Sequence, residues 1–291
     1  MTDRHRPDRC PGVLRPWIAD DGALVRLRLV GGALTTQQLA DLMLISGRFG
    51  DGEVHLTRRA NLQLRGIDHT EGEPPRLFVE AVAATGLLPS RSHELVRNIM
   101  VSSLTGRLGG HVDLRPLAEQ LDAGLCADEE LAGLSARFLF VLDDGHGDLV
   151  DRPLDLGVMA VDATHGQLRV GEHWGEVLPL TAVPDALLDL ARRFSHLRER
   201  EGNGAWHVAE LPEAGGSMLS VHHARDLRTQ VHALPVPHDT LTQDDGRAVR
   251  HVDIPEGRLT HDLATRVLAL AGRDIIVTPW RSLLLPDLEN P

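Results

Sequence analysis

Four polar side chains stand at alternate positions of one short segment, "TRRANLQLRG" at 57–66: Arg59, Asn61, Gln63 and Arg65, separated by Ala60, Leu62 and Leu64. In an extended strand successive side chains point to opposite faces, so this spacing predicts two guanidinium and two amide groups on one side and an apolar set on the other. The upstream segment at 25–29 repeats the pattern, with Arg26 and Arg28 against Val25, Leu27 and Leu29, and Arg97 opens a further apolar run. A guanidinium grips a carboxylate through two parallel hydrogen bonds. A surface that gathers Arg28, Arg59, Arg65 and Arg97 therefore suits a polyanionic organic ligand, with Asn61 and Gln63 adding hydrogen bonds. The same alternation also describes the solvated face of an ordinary antiparallel sheet.

The remaining motifs carry less chemistry. His222, His223, His232 and His238 lie close in sequence but lack a helical pair with a nearby Glu, which predicts an exposed loop rather than a metal site. "DDGHGD" at 143–148 lacks the Asp spacing and terminal Glu of a calcium loop and reads as a turn. No phosphate-binding glycine fingerprint follows a strand. Cys10 and Cys126 are the two cysteines, too few for a [4Fe-4S] cluster and without metal-ligand spacing. No metal ligand, general acid, general base or nucleophile is assigned.

Composition narrows the class. The 291 residues are 42% hydrophobic and 25% charged, which is ordinary for a globular protein, and the net charge of -12 argues against general nucleic-acid or anionic-membrane binding. All basic residues are Arg, so only their clustering is informative. The start "MTDRHRPDRCPG" has no apolar signal core, and no window is long and apolar enough to span a bilayer. A cytoplasmic location is expected.

Residues 24–66 and 248–288 share one order of features: a strand, a Gly turn, Leu-Thr, an amphipathic helix, then a strand opened by Thr57 or Thr278. Thr35 with Gln38 forms a capping box, Leu39, Leu42 and Met43 set the helical face, and Gly47 is expected to end that helix. In the second copy Thr260 is expected to cap, with Leu263, Val267 and Leu270 buried. Each copy reads as a strand–helix–strand unit. The spacing predicts an α+β (α/β) protein with half-domains at 11–90 and 230–291 and a mixed middle domain at 91–229, containing a helix near 114–125, a strand entering the 143–148 turn, a β-meander and a helix at 184–200. Residues 236–247 read as a polar linker.

Taken together, "RCPGVLRP", "LTRRANLQLRG", "RNIMVSSLTG", "RFLFVLDDGHGD" and "TPWRSLLLPDL" resemble the precorrin-3B synthases of cobalamin biosynthesis, within the superfamily of sirohaem-dependent sulfite and nitrite reductases. The resemblance implies two ferredoxin-like half-domains related by a pseudo-two-fold axis, and a tetrapyrrole, precorrin or sirohaem, whose carboxylates meet Arg28, Arg59, Asn61, Gln63, Arg65, Arg97 and Arg137. It implies an oxidoreductase that hydroxylates precorrin-3A with oxygen and forms a lactone, using iron. Reductases of the superfamily show Lys-x-Lys where this sequence has Arg137-Phe138-Leu139, which favours the precorrin branch. The family's [4Fe-4S] cysteines lie in a module after the "LLLPDL" strand. That module is missing from this sequence, so a non-catalytic tetrapyrrole-binding subunit with a cluster-bearing protein partner, or a sulfite or nitrite reductase fragment, are the alternatives.

Overall fold

The computed structural model describes residues 8–202, 204–233 and 236–289. Its strands and helices in chain order are β1 Trp17–Ala19, β2 Gly22–Leu27, β3 Ala33–Thr35, α1 Thr36–Phe49, β4 Val54–Leu56, β5 Leu62–Ile67, α2 Arg76–Ala84, β6 Ile99–Val101, α3 Arg115–Ala127, β7 Phe140–Asp143, β8 Leu156–Ala160, β9 His165–Val170, β10 His173–Pro179, α4 Val183–Glu201, β11 Thr240–Thr242, β12 Ala248–Asp253, β13 Arg258–Leu259, α5 His261–Leu270, β14 Asp274–Val277 and β15 Ser282–Leu288. They divide between a central unit, built on residues 96–236, and a duplicated unit made of residues 9–95 with the chain from 237 onward.

In the duplicated unit each half starts its helix with a threonine. The Thr35 hydroxyl accepts from Gln38 N while the Gln38 side chain accepts from Thr35 N, and the Thr260 side chain accepts from Leu263 N. These bonds satisfy amide groups that the first helical turn leaves without partners. Helix α1 runs through Gly47 and stops at Gly50, because a lone interior Gly weakens a helix without breaking it. In α5 it is Ala264 and Val267 that are buried, whereas Leu270 at the last turn is 47% exposed.

The two halves are stitched by exchanged strands. One sheet runs β1-β2-β5-β4-β13 and another β11-β12-β15-β14-β3, so β13 completes the first half's sheet and β3 completes the second's. Both sheets are antiparallel throughout. The strand after each helix hairpin is thus central, paired to strands on both sides, rather than the closing member of a parallel pair. One core joins them, from Val25, Leu42, Leu64 and Phe78 in the first half to Val267, Ile275 and Leu285 in the second. Part of the segment read as a linker is ordered as β11, which pairs with β12.

The central unit has a mixed sheet, β10-β9-β8-β7-β6, in which β6, β7 and β8 are parallel and β8, β9 and β10 form an antiparallel meander. Helix α3 connects the parallel strands β6 and β7. Pro184 sits in the first turn of α4 and Arg198 and Arg200 in its last, where they complement the helix dipole. Phe138 packs between Phe140 and Phe194, with ring centroids 5.3 and 4.7 Å away, fixing α4 to the sheet.

Candidate anion-binding site

The turn that joins β4 to β5 is built by one hydroxyl. Thr57 Oγ1 accepts from Arg59 N and Asn61 N, at 3.3 and 3.1 Å, while Thr57 O accepts from Ala60 N. To close this loop Ala60 adopts φ 54°, a left-handed conformation costly for a residue with a side chain. The strand therefore begins only at Leu62, and the four polar residues do not form one continuous row. Asn61 turns inward, 1% exposed, and its Oδ1 accepts from Leu29 N at 2.9 Å, tying β5 to the end of β2. Gln63 and Arg65 are on β5 itself.

Arg26, which the alternation places on one face with Arg28 but which is left out of the expected contacts, lies directly opposite Gln63 in the β2–β5 pairing. With the Gln63 amide oxygen turned toward it, Arg26 donates from Nη2 at 2.6 Å and from Nε at 3.1 Å. Strand register was the missing signal. Arg28, just past β2, is 2% exposed, and its Nη1 donates to Pro11 O and Glu94 O at 3.2 and 3.1 Å. Glu94 in turn accepts from Val13 N and Leu14 N at 2.6 and 3.0 Å. Burial, and after it the charge of Arg26 with a smaller push from Arg59, lowers the Arg28 guanidinium to about 10, still cationic at neutral pH. Arg26 and Arg28 lie at the end of β2, and the turn that carries Arg59 is tied to that end by the Asn61–Leu29 bond. Burial pushes the Glu94 carboxyl up, opposed by its amide bonds and by Arg28.

The other expected contacts are spent differently. Arg65 reaches across to Asp21 at 3.1 Å on the surface. Arg97, in the central unit, makes a buried two-point bridge to Asp122 of α3, 2.6 Å from Nε and 2.7 Å from Nη2. Arg137 stacks 4.8 Å over Trp206 and faces Asp8 at 3.6 Å. Its neighbour Leu139, where reductases carry a second lysine, is buried. Arg97 and Arg137 therefore anchor the central unit's own structure.

"DDGHGD" is a turn, but not a solvated one. Asp143, Asp144 and Asp148 are 4%, 0% and 8% exposed, and one oxygen of each is buried without a hydrogen-bond partner. Burial first, then the charge of Asp148, raises Asp143 to about 6. His222, His223, His232 and His238 are exposed. Among the described residues, Asp51, Glu53 and His55 bring ligand atoms within 4.8 Å of one another, but Glu53 is held at two points by Arg258 and His55 bonds Asp51.

Residues 19–71, which contain β2, α1, β4 and the whole Thr57 turn, match the nitrite/sulfite reductase ferredoxin-like half domain. A precorrin-3B synthase from Sinorhizobium sp is 32% identical over 146 residues, covering 48% of this chain and 29% of that protein. The likeness to that half domain thus extends to a relative named for precorrin chemistry. A ferredoxin–nitrite reductase of Synechococcus elongatus is 33% identical over 134 residues, 44% of this chain and 26% of the reductase. Both alignments thus span less than a third of those relatives. The solved structure of the Mycobacterium tuberculosis NirA protein superimposes with a TM-score of 0.62 at 17% identity, covering 99% of this chain and 58% of that one, a likeness of fold.

A [4Fe-4S] cluster does not fit the thiols of these 291 residues. Cys10 and Cys126 belong to different units, and burial, then Asp122, pushes the Cys126 thiol up, away from the thiolate that a cluster binds. No helix of the described residues is long and apolar enough to cross a membrane.

Proposed function

We propose that this chain binds a polycarboxylated tetrapyrrole on the first half-domain and acts as a precorrin-3B synthase-like oxidoreductase of cobalamin biosynthesis. The observation that carries the reading is the placement of Arg26, Arg28 and Arg59 toward one sheet end: Arg26 lies opposite Gln63, Arg28 follows two residues on, and Asn61, two residues after Arg59, bonds Leu29 N. Burial first, and then repulsion by the like charge of Arg26, lowers the Arg28 guanidinium. A ligand rich in acetate and propionate groups removes that repulsion. Arg26 and Arg59 are the carboxylate contacts in this reading. Arg28 is a positioning residue that braces Pro11 and Glu94, and Gln63 orients Arg26.

Hydroxylation of precorrin-3A with oxygen needs redox chemistry beyond what these side chains provide. A cluster would need thiolates beyond Cys10 and Cys126. A second reading is a tetrapyrrole-binding subunit acting with a cluster-bearing partner. In either case binding comes first. Titration with uroporphyrin, followed by its absorption band, tests it: Arg26→Ala with Arg59→Ala should weaken binding by about 100-fold, as expected for two charge-assisted contacts, with circular dichroism unchanged. Unaltered affinity in the double variant would overturn the assignment.

A further inference from the structure

The second half-domain rebuilds the Thr57 turn bond for bond. Thr278 N donates to Ser282 O as Thr57 N donates to Asn61 O, Arg281 N donates to Thr278 O as Ala60 N does to Thr57 O, and Thr278 Oγ1 accepts from Trp280 N and Ser282 N. Arg281 takes φ 62° where Ala60 takes 54°. A non-glycine residue held left-handed at the same place in both copies is strain that the fold maintains twice. The residue just before it is Arg59 in one turn and Trp280 in the other.

The two turns also lie side by side. A Cβ added at Gly32 would collide with the Val277 carbonyl oxygen and stand 3.2 Å from the Ala60 Cβ. One added at Gly257 would come within 3.1 Å of Leu56 O and 3.0 Å of Arg281 Cδ. Each glycine thus packs against the start of one turn and the end of the other, and the two turns lie together within one unit.

A tetrapyrrole has two surfaces to satisfy: a flat, apolar ring and a rim of acids. Guanidinium groups answer the rim, whereas an indole presents a broad, rigid apolar face to a ring. We infer that Trp280, half-buried on the second turn, forms the ring-contacting wall of the site whose rim contacts are Arg26 and Arg59. The inference deepens the tetrapyrrole reading and rests on it.

Uroporphyrin titrated into the full chain, read by its absorption band and by tryptophan fluorescence, tests the wall. Trp280 is one of four tryptophans, so Trp280→Phe should keep affinity within about threefold while removing the largest single share of the quenching. Trp280→Ala should weaken uroporphyrin binding by about 10-fold, in the range of one aromatic stacking contact. Mellitate, a polyacid without a macrocycle, serves as the control: its binding should fall in Arg59→Ala and be indifferent to Trp280→Ala. If uroporphyrin binds, depends on Arg59 and ignores Trp280, or if Trp280→Phe keeps the full quench, the wall is overturned while the cationic rim stands. If the wild-type chain binds no uroporphyrin, both fall.

Discussion

The two half-domains share a backbone and differ in what it carries. Counting from the capping threonines and from the turn threonines, Arg26, Arg28, Arg59, Asn61, Gln63 and Arg65 of the first correspond to His251, Asp253, Trp280, Ser282, Leu284 and Pro286 of the second. Every cation of the first set is replaced. Where Asn61 ties Leu29 to its sheet, Ser282 instead bonds His251 and Thr278, each at 2.6 Å, in a closed, buried chain. The same turn therefore stands among cationic side chains in one copy and beside a buried hydroxyl–imidazole chain in the other. What the comparison teaches is that the scaffold resides in threonines, glycines and exchanged strands, and the chemistry in the alternating positions between them.

The steepest way to break the equivalence is at the glycines. Gly32→Ala, at φ 73° and against a backbone oxygen that cannot yield, should cost about 3 kcal/mol or more in denaturant unfolding. Gly257→Ala has the same φ but meets mainly the flexible Arg281 side chain, and about 1–2 kcal/mol is expected.

A contrast between like-charge clusters sharpens the point. The Arg28 guanidinium stays charged at neutral pH, whereas Asp143 among the central unit's buried acids can take up a proton. Asp143 has its folded pKa raised to about 6 above an ordinary 3.8, so its ionisation costs stability: the molecule is favoured below about pH 4 and loses that advantage as pH rises through about 6. Asp143→Asn should therefore raise stability at pH 8 by on the order of 2–3 kcal/mol and change it little at pH 4, read from paired thermal melts.

Removing the turn hydroxyls tests the shared scaffold more gently. Thr278→Val, at a fully buried hydroxyl, should cost about 2 kcal/mol, and Thr57→Val, half-exposed, about 1 kcal/mol. Equal costs would mean that the two turns are sealed alike. Smallest of all, Arg65→Ala breaks only a surface pair with Asp21 and should shift stability by less than about 1 kcal/mol.

The sequence by itself determined a good deal here. Period and capping chemistry are local, so both helices with their threonine caps, the α+β class, the duplicated strand–helix–strand order and the buried character of β15 could all be read before any coordinates. The repeat aligned Thr57 with Thr278, although each opens a turn rather than the strand itself. Tertiary structure decided the rest, because side-chain direction depends on where a strand begins and what lies opposite. The left-handed Ala60 delayed the strand to Leu62, Asn61 turned inward to Leu29 N, and Arg65 met Asp21. Arg97 and Arg137 met Asp122 and Asp8, partners far along the chain, and three aspartates in an ordinary-looking turn were buried by distant segments. Periodicity says which residues share a face; only the packed chain fixes what that face meets.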